Sequence, residues 1–349
     1  MSRKKKKEPA KKLRVLALVH PDLVPPATAD PEELPGKPWK TEYDVVRTLE
    51  ALGHEVQILG VGDELGGIRN ALFDFKPHIT FNLLEGFDDI VTFDHNVVAY
   101  LELLKMAYTG CNSRGLLLSR DKSLAKQLLS YHRVPGPDFA IFPRGRKVRH
   151  PKRLAFPLIV KSLTMDASIG ISQASVVEDE EHLVERVRFI HESVGTDALV
   201  ERYIEGRELY IGVMGNQQLV TLPVWELLFN NMPEESRKIA TERLKFSLTY
   251  QKKRGIVSEE AKDLPEGAAD RIRDIAKRVY RTLKLSGFAR IDLRLSESGR
   301  VYVIEANPNP QLSRDEDFAQ SARKAGLDYG ELIQRIVNLG IRWQPAQLG

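Results

Sequence analysis

The chain has 349 residues, 42% hydrophobic and 29% charged, which suits a globular protein of two or three lobes and excludes a disordered or collagen-like chain. Its formal charge of +4 is unevenly placed: Arg3, Lys4, Lys5, Lys6, Lys7, Lys11 and Lys12 against Glu8 give residues 1–12 a net +6, so the rest carries −2. The single cysteine, Cys111, excludes an intrachain disulfide and a thiolate zinc cluster, and fits a reducing cytoplasm. Residues 1–12 read as a solvated basic tail; contact with nucleic acid or anionic lipid is the alternative, and no basic stripe in the body would extend it.

The first element is the apolar run LRVLALV, followed by His20-Pro21. It is too short to span a membrane and lacks a signal-peptide cleavage region, so a cytoplasmic protein is expected. Strand-like and helix-like runs then alternate: TEYDVVRTLEALGH, with Thr41 placed to cap it, EVQILGV, a helix over 65–75, HITFNLL and VTFDHNVVAYLELLKM. This βαβ order predicts a parallel sheet covered by helices over 13–118. The first strand leads into HPDLVPPATADPEELPG with no G-x-G-x-x-G turn, so a Pro-rich rim is expected there rather than a phosphate cradle.

A second lobe is expected over 119–205, opening with a helix capped by Ser119 and running to about His132, where RVPGPDF breaks it. FPLIVKSL and GISQASVV read as strands around the small-residue loop TMDASIG, and DEEHLVERVRFIHESV as an amphipathic helix. ALVERYI and RELYIGVM, joined at Glu205-Gly206, lead into a third lobe over 206–349. That lobe begins with a strand from Leu219 to Trp225 and a polar, Lys/Arg-rich stretch over 230–265 that reads as a long functional loop. A helix over 267–285, the hairpin FARIDLRL–SESGR–VYVIEANPNP and closing helices near 315–325 and 328–339 complete it.

The hairpin carries the chemistry. Period-two alternation puts Arg290, Asp292 and Arg294 on one face of their strand, and Val303, Glu305 and Asn307 on one face of the partner, with Tyr302 and Ile304 opposite. A turn centred on Ser298-Gly299 sets Asp292 across from Glu305 and Arg290 across from Asn307. Facing carboxylates repel unless a proton, a cation or an arginine intervenes. A hard divalent ion, which takes oxygen ligands and keeps sites for nucleotide phosphates, satisfies them; pairing with Arg290, Arg294 or Arg300 is the other solution.

YTGCNSRGLLLSRDKSLAKQLL, FPLIVKSLTMDASIGISQASVV, ALVERYIEGRELYIGV, GFARIDLRL and VYVIEANPNP occur in the order found in ATP-grasp enzymes, and the chain resembles their D-alanine–D-alanine ligase branch over roughly Phe81 to Leu339. The resemblance implies an ATP-grasp fold, an N-terminal parallel α/β domain followed by two α+β lobes that clamp the nucleotide. It also implies an ATP- and magnesium-dependent carboxylate–amine ligase working through an acyl phosphate, with manganese as an alternative ion and a homodimer as the usual assembly. Carried over by matching positions, Lys122 and Lys161 contact phosphates, with Ser168 and Gly170 in the flap over them. Glu201, Arg202 and Ile204 meet the base, Glu208 the ribose, and Asp292, Glu305 and Asn307 the metal. Arg290 steadies the acyl phosphate, and Lys245 is the lysine of the closing loop, with Lys238 and Lys252 as alternatives.

The departures concern the substrate. Lys-Pro is replaced by Lys161-Ser162, the Glu-Gly-Ser-Ser flap by Met165-Asp166-Ala167-Ser168, the oxyanion glycine by Gln311 and the N-terminal Gly-Gly loop by HPDLVPPATADP. They leave open which amino acid or peptide is joined, whether the acceptor is a peptide or protein, and a nucleotide-binding protein without turnover. No P-loop, G-x-S-x-G elbow or H-E-x-x-H zinc signature competes, and Cys111 reads as a buried small hydrophobe.

Overall fold

The opening strand is as apolar as a strand covered on both faces must be. In the computed structural model, which describes residues 12–164, 170–233 and 236–343, β1 (Arg14–Val19) has every side chain from Val15 to Val19 fully buried. It is followed by α1 (Lys40–Ala51), β2 (Glu55–Gly60), α2 (Gly66–Phe75), β3 (Ile79–Asn82) and α3 (Asp94–Leu103). The sheet is parallel in the order β2-β1-β3, as the alternation predicts. The capping expectation fails: α1 begins at Lys40 behind Trp39, which makes no side-chain cap bond, so Thr41 lies inside the first turn.

This sheet, with residues 312–314 and 327–343, forms one unit, and the described residues of 111–311 and 315–326 form a second. The second unit opens with α4 (Ser113–Arg120) and α5 (Lys122–Tyr131). A single helix from Ser119 is therefore corrected to two: Asn112 caps the first by accepting from Gly115 N at 2.9 Å, and Asp121 caps the second by accepting from Leu124 N at 2.9 Å. Asp121→Ala is expected to cost about 1 kcal/mol, read as a lower denaturant midpoint at unchanged slope.

Next come β4 (Phe139–Phe142), β5 (Leu158–Ser162), β6 (Val176–Val177), α6 (Glu180–Phe189) and β7 (Ala198–Arg202), with the sheet in the order β4-β7-β5-β6. Of the run GISQASVV only the last two residues are strand. Leu158 and Val160, with Ala198 and Val200, pack against Leu183 and Val187 of α6. Period two then turns Ile159, Lys161, Leu199 and Glu201 to the other face.

The larger sheet is built from β8 (Arg207–Met214) and β9 (Val220–Phe229), then, after α7 (Glu242–Phe246) and α8 (Leu248–Arg254), from β10 (Ile256–Glu260). α9 (Ala268–Thr282), β11 (Phe288–Leu295), β12 (Val301–Asn307) and α10 (Asp317–Lys324) follow, and the strand order is β10-β9-β8-β11-β12. The stretch over 230–265 is thus not a structureless loop; β10 pairs antiparallel with β9 from Ile256↔Phe229 to Glu260↔Trp225. Gly206 joins β7 to β8 at φ +138°, where a Cβ would come within 2.1 Å of the Leu295 carbonyl oxygen, so only glycine lets this turn lie on the end of β11.

In the first unit, α11 (Tyr329–Arg342) packs against α1, and Gly340 rests so close to the Tyr108 carbonyl that a Cβ would lie 2.3 Å from its oxygen. Among the described residues no helix is long and apolar enough to cross a membrane.

Candidate active site

The face of β5 and β7 that turns away from α6 looks into a cleft of the second unit enclosing about 930 Å³ of space, part of it open to solvent. Lys161, Glu201, Arg202, Ile204 and Glu208 line it together with Lys122, Asp292 and Glu305, so eight of the residues expected at a nucleotide site meet in one place. Ile159, Tyr203 and Ile239 make an apolar wall that suits a planar ring.

Glu201 is 1% exposed, yet it is ionised. Burial alone would push its carboxyl up, but the ammonium groups of Lys126 and Lys161 hold it down at about 2. Lys161 Nζ lies 2.9 Å from Oε2, and Lys126 pairs with Oε1. Two buried cations on one anion leave a net positive charge beside the cleft, the sign that nucleotide phosphates require.

The hairpin register agrees with the sequence at the candidate ligand positions: Asp292 pairs with Glu305 and Arg290 with Asn307. Nearer the turn, however, Leu293 pairs with Val303, so Ile304 is the extra residue of a β-bulge. The bulge corrects the expected faces, because Ile304 lines the cleft beside Glu305, whereas Val303 lines a separate hollow with Leu129 and Arg153.

Arg290 grips Asp292 through two parallel bonds, Nε to Oδ1 at 2.8 Å and Nη2 to Oδ2 at 2.9 Å, leaving Nη1 3.8 Å from Asp317. Burial would lower its proton affinity, but Asp292, with Tyr210 and Asp317 adding to it, raises it, so the guanidinium is a fixed cation. It stacks 4.6 Å over the Tyr210 ring, whose hydroxyl donates to Glu208 Oε1 at 2.9 Å. Glu208 in turn accepts from Arg294 Nη2 at 2.7 Å. Lys122, the first residue of α5, places Nζ 3.4 Å from Glu305 Oε1. Asn307 Oδ1 accepts from Asn309 N at 2.9 Å.

Among the described residues no group of three or more His, Cys, Asp or Glu side chains could hold a metal ion. The set Asp292, Glu305 and Asn307 offers two carboxylates and one amide oxygen instead, the donor chemistry of a hard ion that completes its shell with water and phosphate. Each carboxylate has a cation beside it, Arg290 for Asp292 and Lys122 for Glu305.

Gly170 donates from its N–H to Glu242 Oε2 at 2.8 Å, and Glu242 N donates to Ile171 O at 3.0 Å, tying Gly170 and Ile171 to the start of α7. Ser168 lies outside the described residues, and for Lys245 only the backbone position in α7 is described. Sequence reasoning passed over Lys126, Tyr210 and Asp317. Lys126 carried a usable signal, since it follows Lys122 by one helical turn and shares its face.

The D-ala D-ala ligase C-terminus family model matches residues 128–338. An uncharacterized protein, y4sG, of Sinorhizobium fredii is 32% identical over 323 residues, covering 89% of this chain and 91% of that protein. A D-alanine–D-alanine ligase of Desulforudis audaxviator is 29% identical over 300 residues, 84% of this chain and 90% of the ligase. Among solved structures, a D-alanine–D-alanine ligase of Bacillus anthracis complexed with ATP is similar at a TM-score of 0.73, with 20% identity, over 95% of this chain and 98% of that one.

Proposed function

Because the chain belongs to the D-alanine–D-alanine ligase family, and is an ATP-dependent carboxylate–amine ligase of ATP-grasp fold, we propose that the second-unit cleft is its nucleotide site. The observation that carries this is the convergence of Glu201, Lys161, Lys122 and the opposed pair Asp292 and Glu305 on one cavity. Glu201 and the backbone of Arg202 and Ile204 meet the base against the Tyr203 and Ile159 wall, and Glu208, held by Arg294 and Tyr210, takes the ribose hydroxyls. Lys122 and Lys161 bind the phosphates as point charges. Gly170, held by Glu242, belongs to the flap over them, and Lys245 follows on the α7 segment.

Asp292, Glu305 and Asn307 would hold magnesium, which neutralises phosphate charge when bound. A substrate carboxylate oxygen attacks the γ-phosphorus as the bond to ADP breaks, giving an acyl phosphate. A neutral amine then adds to the acyl carbon, phosphate leaves with the C–O electrons, and the amine proton passes to solvent. Arg290, fixed by Asp292 and Asp317, supplies a permanent cation for the oxygen that becomes negative during the addition. Closure of the flap and α7 segment keeps water from the acyl phosphate. The substrates are small amino acids or peptides, and dependence on ATP together with a single, buried cysteine, Cys111, favours the cytoplasm.

Phosphate release from ATP and magnesium across a panel of amino acids and dipeptides, with hydroxylamine to trap the acyl phosphate, tests this. Matched ADP, phosphate and amide with at least one pair, and a hydroxamate in the absence of acceptor, are expected. Failure to bind ATP would remove the reading. Hydroxamate formation without amide from any small amine would move the acceptor to a peptide or protein.

A further inference from the structure

Lys126 is given no ligand contact in the functions assigned above, yet its ammonium is held from two sides beside Glu201. Its side chain is only 10% exposed, and its ammonium meets two acceptors, the Glu201 carboxylate and, at 3.1 Å, the carbonyl oxygen of Ile304. Ile304 is the residue the bulge leaves without an opposite number in β11. Lys122, one turn earlier on α5, goes instead to Glu305. One face of α5 thus sends one lysine to Glu305 and one to Glu201, both acids of the cleft lining.

We propose that Lys126 is a positioning residue for the nucleotide, a buried cation that ties the base-facing acid Glu201 to the bulge that sets the face of Glu305. The inference rests on the nucleotide reading of the cleft. Two physical consequences give it content. A one-residue slip in a strand moves every following side chain to the opposite face, so a bond that holds the bulge carbonyl also holds Glu305 and Asn307 toward the cleft. A buried carboxylate stays ionised and oriented only while cations face it, and around Glu201 these are Lys126 from α5 and Lys161 from β5; its register neighbours, Phe139 in β4 and Ile159 in β5, carry no charge. Removing Lys126 leaves Lys161 alone against full burial, which brings the acid within reach of ordinary pH.

The test is binding of the non-hydrolysable analogue AMP-PNP with magnesium, by calorimetry between about pH 5 and pH 8, to wild type, Lys126→Met, Lys126→Gln and Lys126→Arg. Taking the ratio of variant to wild-type Kd removes the nucleotide's own titration. The ratio for K126M is expected to rise by about tenfold or more as the pH falls across this range, and that for K126R to stay flat and within about threefold of unity. K126Q, which keeps a donor for Ile304 and drops only the charge, must show the same slope and carries the test if K126M does not fold. A ratio independent of pH in K126M or K126Q, whether near unity or uniformly raised, overturns the proposal, because a merely structural lysine gives no slope. Wild type that fails to bind AMP-PNP overturns the nucleotide reading itself, which is a separate outcome.

Discussion

Glu305→Gln is expected to lower turnover by roughly a thousandfold, about 4 kcal/mol of transition-state stabilisation, while the melting temperature stays within a few degrees of wild type. The split between activity and stability follows from the environment of the side chain. Glu305 is 35% exposed, so an isosteric amide opens no cavity, and its Lys122 contact at 3.4 Å is an ion pair at the edge of the cleft. What glutamine removes is charge. With Asp292 already shared with Arg290, Glu305 is the carboxylate of the pair not held by a bidentate arginine, and a hard ion would lose its stronger oxygen donor there. Steady-state phosphate release, run with a magnesium titration, checks both parts: the variant should need far more magnesium and still not recover wild-type turnover. Near-normal activity at ordinary magnesium would take Glu305 out of the metal site.

The same hairpin shows how far a sequence can be read. A turn centred on Ser298-Gly299 places Asp292 opposite Glu305 and Arg290 opposite Asn307, and both pairs stand in the structure. They do so through a bulge that the alternation cannot reveal, since the pairs closest to the turn, Leu293 with Val303 and Leu295 with Val301, lie one residue off that count. Ile304 is apolar like its inward-facing neighbours, so nothing in its side chain marks it as the inserted residue. Order and spacing of apolar runs were enough for the parallel sheet, because β1 is buried on both faces and has no choice of environment. β10 was invisible for the opposite reason: an edge strand reading Ile-Val-Ser-Glu-Glu needs only one neighbour, and its pairing with β9 is made by backbone.

Local chemistry misled where two residues could do one job. Ser119 and Asp121 can both cap a helix, and Asp121 wins because Asn112 has already started a helix that runs through Ser119 to Arg120. For the cleft, the acids and the two lysines expected from matched positions do line it, whereas Lys126, the second lysine on Glu201, was marked only by its spacing from Lys122, and the second acid near Arg290 follows only from three-dimensional neighbours. Charge pairing across 75 residues of chain, as between Lys126 and Glu201, leaves no periodic trace.

Raising the pH from about 5 to about 8 is expected to destabilise the first unit by up to about 3 kcal/mol through one side chain, Glu42. It stands in the first turn of α1, is 4% exposed, and its Oε2 is buried without a hydrogen-bond partner. Burial is the main cause that lifts its carboxyl from 4.5 to about 7, and the charge of Glu85 adds to it, against a smaller opposing pull from its own backbone N–H. Because the folded-state value lies above that of the unfolded chain, the proton is held more tightly when folded. Below about pH 4.5 both states carry it and there is no penalty; between 4.5 and about 7 the unfolded chain ionises first, so stability falls as pH rises; above about 7 both are ionised and the loss is complete. Glu42→Gln removes the ionisation and keeps the shape, so the variant should match wild type near pH 4.5 and exceed it by the full amount at pH 8. Denaturant midpoints of the two proteins, measured across that range, should therefore diverge with rising pH. Parallel midpoints would mean that Glu42 finds a partner on ionising and that the first turn of α1 is wetter than its burial indicates.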